Sequence, residues 1–283
     1  MRRGVCEAAP ACQLSSTRLT LSMPARRPHR SHPRPRPSRA EPAGSTGATA
    51  FYGRHAVLAA LANPARPVHR VLSLAPAEAE LHGAAATRGL AVETPERGAF
   101  TALVGAEAAH QGVAALVGPL PEPDTDALLD AGLGLLVVLD QVSDARNLGA
   151  VLRSAAAFGA LGLVVQTRHA APLNAACAKA ASGALERVPV VHEVNLARFL
   201  TRAHGRGWWT AGLDGGATAT LADFTSAPKQ VLVLGAEGRG LRPLVRERCD
   251  VTLRIPIGPA VESLNVAVSA GIALHHCAMR MPS

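Results

Sequence analysis

The sequence predicts an α/β protein, with a mostly parallel sheet sandwiched between helices and a smaller α/β unit ahead of it. Three observations predict this class. Short apolar runs recur along the chain, helical segments separate most of them, and Gly- or Pro-rich turns follow several of the runs. No internal repeat is visible.

Residues 1–50 carry nine Arg against two Glu, with Arg26-Arg27-Pro28-His29-Arg30 and Pro33-Arg34-Pro35-Arg36-Pro37 at their centre. A segment with so little apolar periodicity cannot bury enough surface to offset its chain entropy, so a disordered basic tail is expected. The Arg- and Ser-rich, acid-poor composition also fits an organellar transit peptide, and a later start at Met23 is a third reading. A cytoplasmic location is expected, or a mitochondrial one if the tail is a transit peptide.

From Phe51 the pattern changes. Residues 55–62 read as a helix stopped by Asn63-Pro64, 68–74 as a strand, 77–88 as a helix ended by Gly89, and 112–117 as a second strand. Residues 51–118 thus form a small α/β unit. Pro119, Pro121 and Pro123, set among acidic residues, make 119–132 a stiff linker.

The second unit covers 133–283. Leu135–Leu139 is a continuous apolar run, as a strand covered on both faces requires. Further strands are expected at 163–166, 188–191, 208–213, 231–234 and 251–255. Helices are expected at 148–158, 173–181, 196–204, 243–248 and 264–279. The last is apolar around most of its circumference, so it should be buried or form a subunit interface.

Charge adds little to a case for nucleic acid. The formal net charge is +8, but beyond residue 50 there are 20 Lys+Arg against 19 Asp+Glu. Five Cys without C-x-x-C pairing, and His275-His276 as an isolated pair, read as scattered thiols rather than disulfides or a metal site. No metal is expected. The stretch from Ser263 to Met279 is broken by Asn265, Ser269 and the two His, so it falls short of a membrane span.

Three clusters carry the chemistry, each at or just beyond the C-terminal end of a predicted strand, where ligands of open α/β sheets bind. The first runs from Asp140 to Arg153. If Asn147 caps the helix, Gly149 and Arg153 share a face, and Gly149 leaves space into which Arg153 projects. A capped helix with a solvated Arg explains it equally. The second is Gly235-Ala236-Glu237-Gly238-Arg239-Gly240, which allows close backbone approach but is neither a Walker loop nor G-x-G-x-x-G. Alone it is a turn. The third runs from Ile255 to Ala267, with Ser263 where an N-cap belongs. Alone that is capping.

Together the clusters say more. Asn147/Gly149/Arg153, Gly235/Glu237/Gly240 and Ile255/Ser263/Asn265, in this order, resemble the three motifs of the SpoU/TrmH family of RNA ribose 2′-O-methyltransferases, within the SPOUT superfamily. Ser263-Leu264-Asn265-Val266-Ala267-Val268-Ser269 is close to that family's most specific signature, and the similarity extends through Lys179–Val190. Phe51-Tyr52-Gly53-Arg54-His55-Ala56-Val57 and His110-Gln111-Gly112-Val113 resemble the substrate-binding domain of the branch that methylates a guanosine of large-subunit rRNA, a domain similar to the L30e fold. One departure is Ser143-Asp144-Ala145-Arg146 where Asp-Pro is commoner before Asn147, expected to alter the turn and not the chemistry.

The resemblance implies a trefoil-knotted catalytic domain, a homodimer, an RNA substrate and S-adenosylmethionine as methyl donor. It assigns Arg153, Asn147, Glu237, Ser263 and Asn265 to catalysis, and Gly235, Ile255 and Leu264 to the cofactor. In that scheme Glu237 braces the loops, Asn265 orients Arg153 or the ribose, and Ser263 contacts the substrate or cofactor edge. Two rivals remain: the same chemistry on tRNA, and a non-catalytic RNA-binding or assembly protein. Aromatic residues make up only 3%, so Arg contacts and RNA shape are expected to outweigh base stacking.

Overall fold

A computed structural model describes residues 47–76, 79–106 and 108–281. The basic tail up to residue 46, and residues 77–78 of the second expected helix, lie outside the described residues.

The first sheet has four strands in the order β1-β4-β2-β3: β1 (Thr49–Tyr52), β2 (Val68–Ser73), β3 (Val92–Glu93) and β4 (Val113–Val117). β4 runs antiparallel to both β1 and β2, and β3 pairs parallel to β2. Helices α1 (Arg54–Ala62), α2 (Ala79–Ala86) and α3 (Arg97–Val104) complete the unit. β1, β3 and α3 were not expected. Thr49 and Ala50, assigned from sequence to the tail, pair with Val117 and Leu116. β3 is two residues long and α3 buries only Phe100, so neither leaves a periodic signature.

Helix α4 (Thr125–Asp130) lies in the stretch read as a linker. Asp124 caps it by accepting from the Asp126 N–H at 3.1 Å, and Leu128 and Leu129 are buried. Arg206 holds it from outside, donating to Asp130 at 2.8 Å and to Asp126 at 3.0 Å. Six residues with two apolar anchors are too short for helical periodicity to announce.

The second sheet has six strands, all parallel, in the order β10-β8-β9-β5-β6-β7. They are β5 (Gly134–Asp140), β6 (Gly162–Gln166), β7 (Val190–Glu193), β8 (Trp209–Leu213), β9 (Lys229–Gly235) and β10 (Val251–Leu253). Helices α5 (Ala145–Ala157), α6 (Ala175–Ala181), α7 (Leu196–His204), α8 (Pro243–Arg246) and α9 (Val266–Arg280) connect or follow them. The pleat sorts the continuous apolar runs into two cores. Leu135, Val137 and Leu139 face α5, α6 and α9, whereas Leu136 and Val138 pack with Leu196, Phe199, Leu200 and Trp208. A strand buried on both sides reads as unbroken apolar sequence for this reason.

The strand order places the site. After β7 at one edge the chain crosses to β8, then returns as β9 between β8 and β5. The C-terminal ends of β5, β9, β8 and β10 therefore lie side by side, and the three chemical clusters leave from three of them.

Candidate active site

β9 ends at Gly235, where only glycine fits. A Cβ there would stand 2.1 Å from the carbonyl carbon of Gly240. The loop turns back at once: Gly240 N–H donates to the Ala236 carbonyl at 2.9 Å, and Gly238 and Gly240 take φ of +75° and +65°. This hairpin-like loop forms one wall of a cavity of about 340 Å³, within the size range of small-ligand pockets, roughly 300–1,000 Å³. Ile255, beyond β10, and Leu264, ahead of α9, line it with Leu213 and Leu234. Glu237 and Ser263 also face it. Gly235, Ile255 and Leu264, each assigned from sequence to the cofactor, thus border one space.

Beside the cavity three side chains close a network. Asn147 Nδ2 donates to Glu237 Oε1 at 2.9 Å, and Asn265 Nδ2 donates to the same oxygen at 2.8 Å. The second Asn265 amide hydrogen goes to Asn147 Oδ1 at 3.0 Å. Glu237 Oε1 also accepts from the Val266 N–H at 3.4 Å. One residue comes from each motif, so the carboxylate ties the start of α5, the glycine loop and the start of α9 together.

Several local expectations are corrected. Asp144, not Asn147, caps α5, accepting from the Arg146 and Asn147 N–H groups at 2.6 and 3.4 Å. Ala145 then fills the first helical position, which suits proline but does not need it, so Asp144-Ala145 starts the helix cleanly. Asn147 is freed from capping to reach Glu237. Likewise Asn265, not Ser263, caps α9, its Oδ1 accepting from Ala267 and Val268 at 2.9 and 3.3 Å. Ser263 stays exposed in the preceding loop.

Gly149 does not open space for Arg153. A Cβ there would lie 2.4 Å from the Cys177 carbonyl oxygen and 2.7 Å from Ala180 Cβ. The glycine lets α5 and α6 pack at close range. Arg153 itself is exposed on α5, does not line the cavity, and has no hydrogen-bond or ion-pair partner among the described residues. Its neighbour Ser154 faces Gly271 of α9. On the outer side of α9, Val268, Ile272 and Met279 are 50%, 40% and 66% exposed, an apolar stripe at helical spacing.

Asp214 also borders the cavity, and sequence reasoning passed over it. It directly follows β8 and accepts from the Gly216 N–H at 2.8 Å and Arg246 Nε at 3.1 Å. An acidic residue just after an apolar run was its only signal. Among the described residues no cysteine lines the cavity, and burial pushes the thiols of Cys177 and Cys249 up to about 12 and that of Cys277 also upward.

A second cavity, of about 260 Å³, lies where Phe51, Val117 and Pro119 meet Leu185 and Val190. None of the three motifs lines it. Next to it a buried ion pair joins the turn between α1 and β2 to the second unit: Arg66 donates to Glu186 through Nη2 at 2.7 Å and Nε at 3.0 Å, with side-chain exposures of 5% and 3%. Asn63 Nδ2 adds a bond to Glu186 at 2.9 Å. Nearby, Lys179 Nζ crosses Gly53 to reach Gln111 Oε1 at 2.8 Å. Gly53 has φ of +88°, and a Cβ there would sit 2.4 Å from that ammonium.

Comparison with known proteins matches both units. Residues 134–275 match the SpoU rRNA methylase family, and residues 51–123 match the RNA 2′-O ribose methyltransferase substrate-binding family. A Pseudomonas syringae protein named 23S rRNA (guanosine-2′-O-)-methyltransferase RlmB is 40% identical over 233 residues, covering 79% of this chain and 92% of that protein. An uncharacterized tRNA/rRNA methyltransferase of Mycobacterium avium is 43% identical over 169 residues, a match that spans 58% of this chain and 55% of that longer protein. The SpoU methyltransferase AviRb of Streptomyces viridochromogenes, solved in complex with the cofactor AdoMet, shares the fold with a TM-score of 0.72 at 24% identity, over 82% of this chain and 90% of that one. With a matching methylase domain behind a matching substrate-binding domain, and a relative at 40% identity along nearly its whole length, the chain belongs to the SpoU rRNA methylase family.

Proposed function

We propose that this protein transfers a methyl group from S-adenosylmethionine to a ribose 2′-hydroxyl of structured RNA, with a guanosine of 23S rRNA as its target. The observation that carries the reading is the convergence of Gly235, Ile255 and Leu264 on one cavity beside the Asn147–Glu237–Asn265 network. The cavity suits the methyl donor: Leu213, Leu234, Ile255 and Leu264 offer apolar walls for an adenine, the glycine loop offers main-chain groups, and Asp214 and Glu237 offer negative charge. The knot implied by the family resemblance agrees with β9 entering between β8 and β5.

S-adenosylmethionine brings a methyl already activated by its sulfonium, which leaves positioning as the main task of the protein. The walls around Gly235 and Leu264 bind and exclude water. The three-residue network holds the loops at one spacing. The guanidinium of Arg153 offers hydrogen-bond donors and no acceptor, so it does not serve as the base. Its forked donors suit a phosphate beside the target ribose and the charge that develops on the attacking oxygen.

Arg153 stands outside the cavity of its own chain on α5, whose next residue, Ser154, faces Gly271 of α9, the helix that carries the exposed stripe Val268–Ile272–Met279. That placement favours a homodimer that buries the stripe and sets Arg153 against the partner's pocket. Among the described residues no helix is long and apolar enough to cross a membrane. Action on ribosomal RNA makes the cytoplasm the working compartment, with a mitochondrial one as the alternative if the tail is an import signal.

The test is to map 2′-O-methyl groups in rRNA and tRNA from cells with and without the gene, and to repeat the transfer with purified protein. Loss of one rRNA methyl group and its restoration in vitro are expected. A missing tRNA methyl group would redirect the substrate, and an unchanged map with no cofactor binding would overturn the reading.

A further inference from the structure

The chain that follows the glycine loop is held by a carboxylate from a neighbouring strand. Asp140 ends β5, which lies next to β9, and is fully buried. Its Oδ1 accepts from Arg242 Nε at 2.7 Å, and its Oδ2 accepts from the Arg242 backbone N–H at 3.0 Å. Both carboxylate oxygens therefore grip a single residue, through side chain and main chain together.

That residue is close to the cavity wall. Only Leu241, itself buried, separates Arg242 from Gly240. Gly240 in turn is pressed against Gly235 so tightly that a Cβ at Gly235 would meet its backbone at 2.1 Å. No slack remains between the Arg242 backbone and the mouth of the pocket. A displaced Arg242 N–H must move Gly240, and with it the turn that carries Glu237. A second contact, Asp214 to Arg246, secures the far end of α8 from β8 on the other side of β9. Arg246 is half exposed there, so solvent screens that pair more than the one at Asp140, whose carboxylate is fully buried.

We propose that Asp140 is a positioning residue for the methyl-donor pocket, acting through Arg242 to hold loop 236–240 closed against Gly235. The proposal rests on the reading of that cavity as the S-adenosylmethionine site. A buried carboxylate persists where its charge is paired and its lone pairs are used. Here one residue meets both demands, which makes the loop, rather than the core, the part that depends on it.

Asp140→Asn leaves one acceptor oxygen and turns an amide donor toward one of the two Arg242 donors. Arg242→Met removes Nε and keeps the backbone N–H. In the double variant the Asn oxygen can take that N–H with no donor opposing the amide. Two measurements test this on the full chain: calorimetric titration with S-adenosylmethionine, and hydrogen exchange of the 236–242 amides without cofactor. Asp140→Asn is expected to weaken cofactor affinity at least tenfold, or about 1.4 kcal/mol, and to speed loop exchange while β6 and β7 amides keep their rates. Arg242→Met is expected to do the same, and the double variant to recover most of both losses. Unchanged loop exchange in Asp140→Asn, acceleration spread evenly through β6 and β7, or a double variant no better than Asp140→Asn would overturn the proposal. If the wild-type chain binds no S-adenosylmethionine, the methyl-donor reading fails instead, and the cofactor-free exchange data tell the two failures apart.

Discussion

Asn265 and Asn147, 118 residues apart, meet through a 3.0 Å hydrogen bond from Nδ2 to Oδ1 while both donate to the same oxygen of Glu237. Asn265 spends its oxygen on the start of α9 and both amide hydrogens on the network. One residue thus caps a helix and ties it to two other loops.

Those two duties can be separated. Asn265→Asp keeps the capping oxygen but replaces the two donors with a second carboxylate beside Glu237. Helix content by circular dichroism is expected to stay near wild type, whereas methyl transfer falls at least tenfold, about 1.4 kcal/mol in barrier. Asn265→Ala is expected to lose the cap as well, costing about 1 kcal/mol of stability in denaturant titration.

Arg153→Ala is expected to abolish methyl transfer and leave S-adenosylmethionine affinity largely intact, measured by single-turnover assay and calorimetry. Activity within about tenfold of wild type would remove Arg153 from the reaction. Mixing inactive Arg153→Ala with inactive Glu237→Ala tests the dimer. If Arg153 serves the partner's pocket, mixed dimers regain activity, because one of their two sites is then intact.

The Arg66–Glu186 pair is expected to act as a stability element. Arg66→Ala leaves a buried carboxylate with Asn63 as its remaining side-chain donor, a loss of roughly 3–5 kcal/mol. Replacing both residues with Met is expected to cost less than either single change, since an apolar pair leaves no stranded charge. Urea unfolding of the wild type, Arg66→Met, Glu186→Met and the double variant completes the cycle.

Alkaline pH is expected to destabilise the fold through its cysteines. Cys177 and Cys249 ionise at about 12 in the folded chain, against an ordinary value of 9.0. Below pH 9 folded and unfolded chains hold these protons equally, and the stabilisation is fully present. Between 9 and 12 the unfolded chain holds fewer protons, so stability falls as pH rises. Under reducing conditions Cys177→Ala should flatten the decline in urea midpoint across that window.

Gly149→Ala is expected to force α5 from α6, since the new Cβ would stand 2.4 Å from the Cys177 carbonyl oxygen. Overpacking of this kind costs about 1–3 kcal/mol. In a domain of this size each kcal/mol lowers the melting temperature by roughly 2–4 °C. Differential scanning calorimetry reads it directly.

Periodicity and continuous apolar runs were enough, by themselves, to mark the six-stranded sheet's cores and most of its helices, because burial writes its period into residue order. Leu135–Leu139 shows this plainly, being apolar at every position with a core on each side. The motif residues Gly235, Ile255 and Leu264 were picked out by the resemblance of three ordered clusters to a known family, since each cluster alone reads as a turn or a cap. Partnership was not legible. Asp144 and Asn147 are equally good caps on paper, and Asn147 is drawn off by Glu237, which arrives from a loop 90 residues away, whereas Asn265 caps α9 with its oxygen and still gives its amide hydrogens to Glu237 and Asn147. Gly149 looked like open space until α6 was laid across it, and Asp140 like a strand terminus until Arg242 closed on it. Side chains with several possible hydrogen-bond partners take the one that the packed backbone delivers, and only the tertiary structure delivers it.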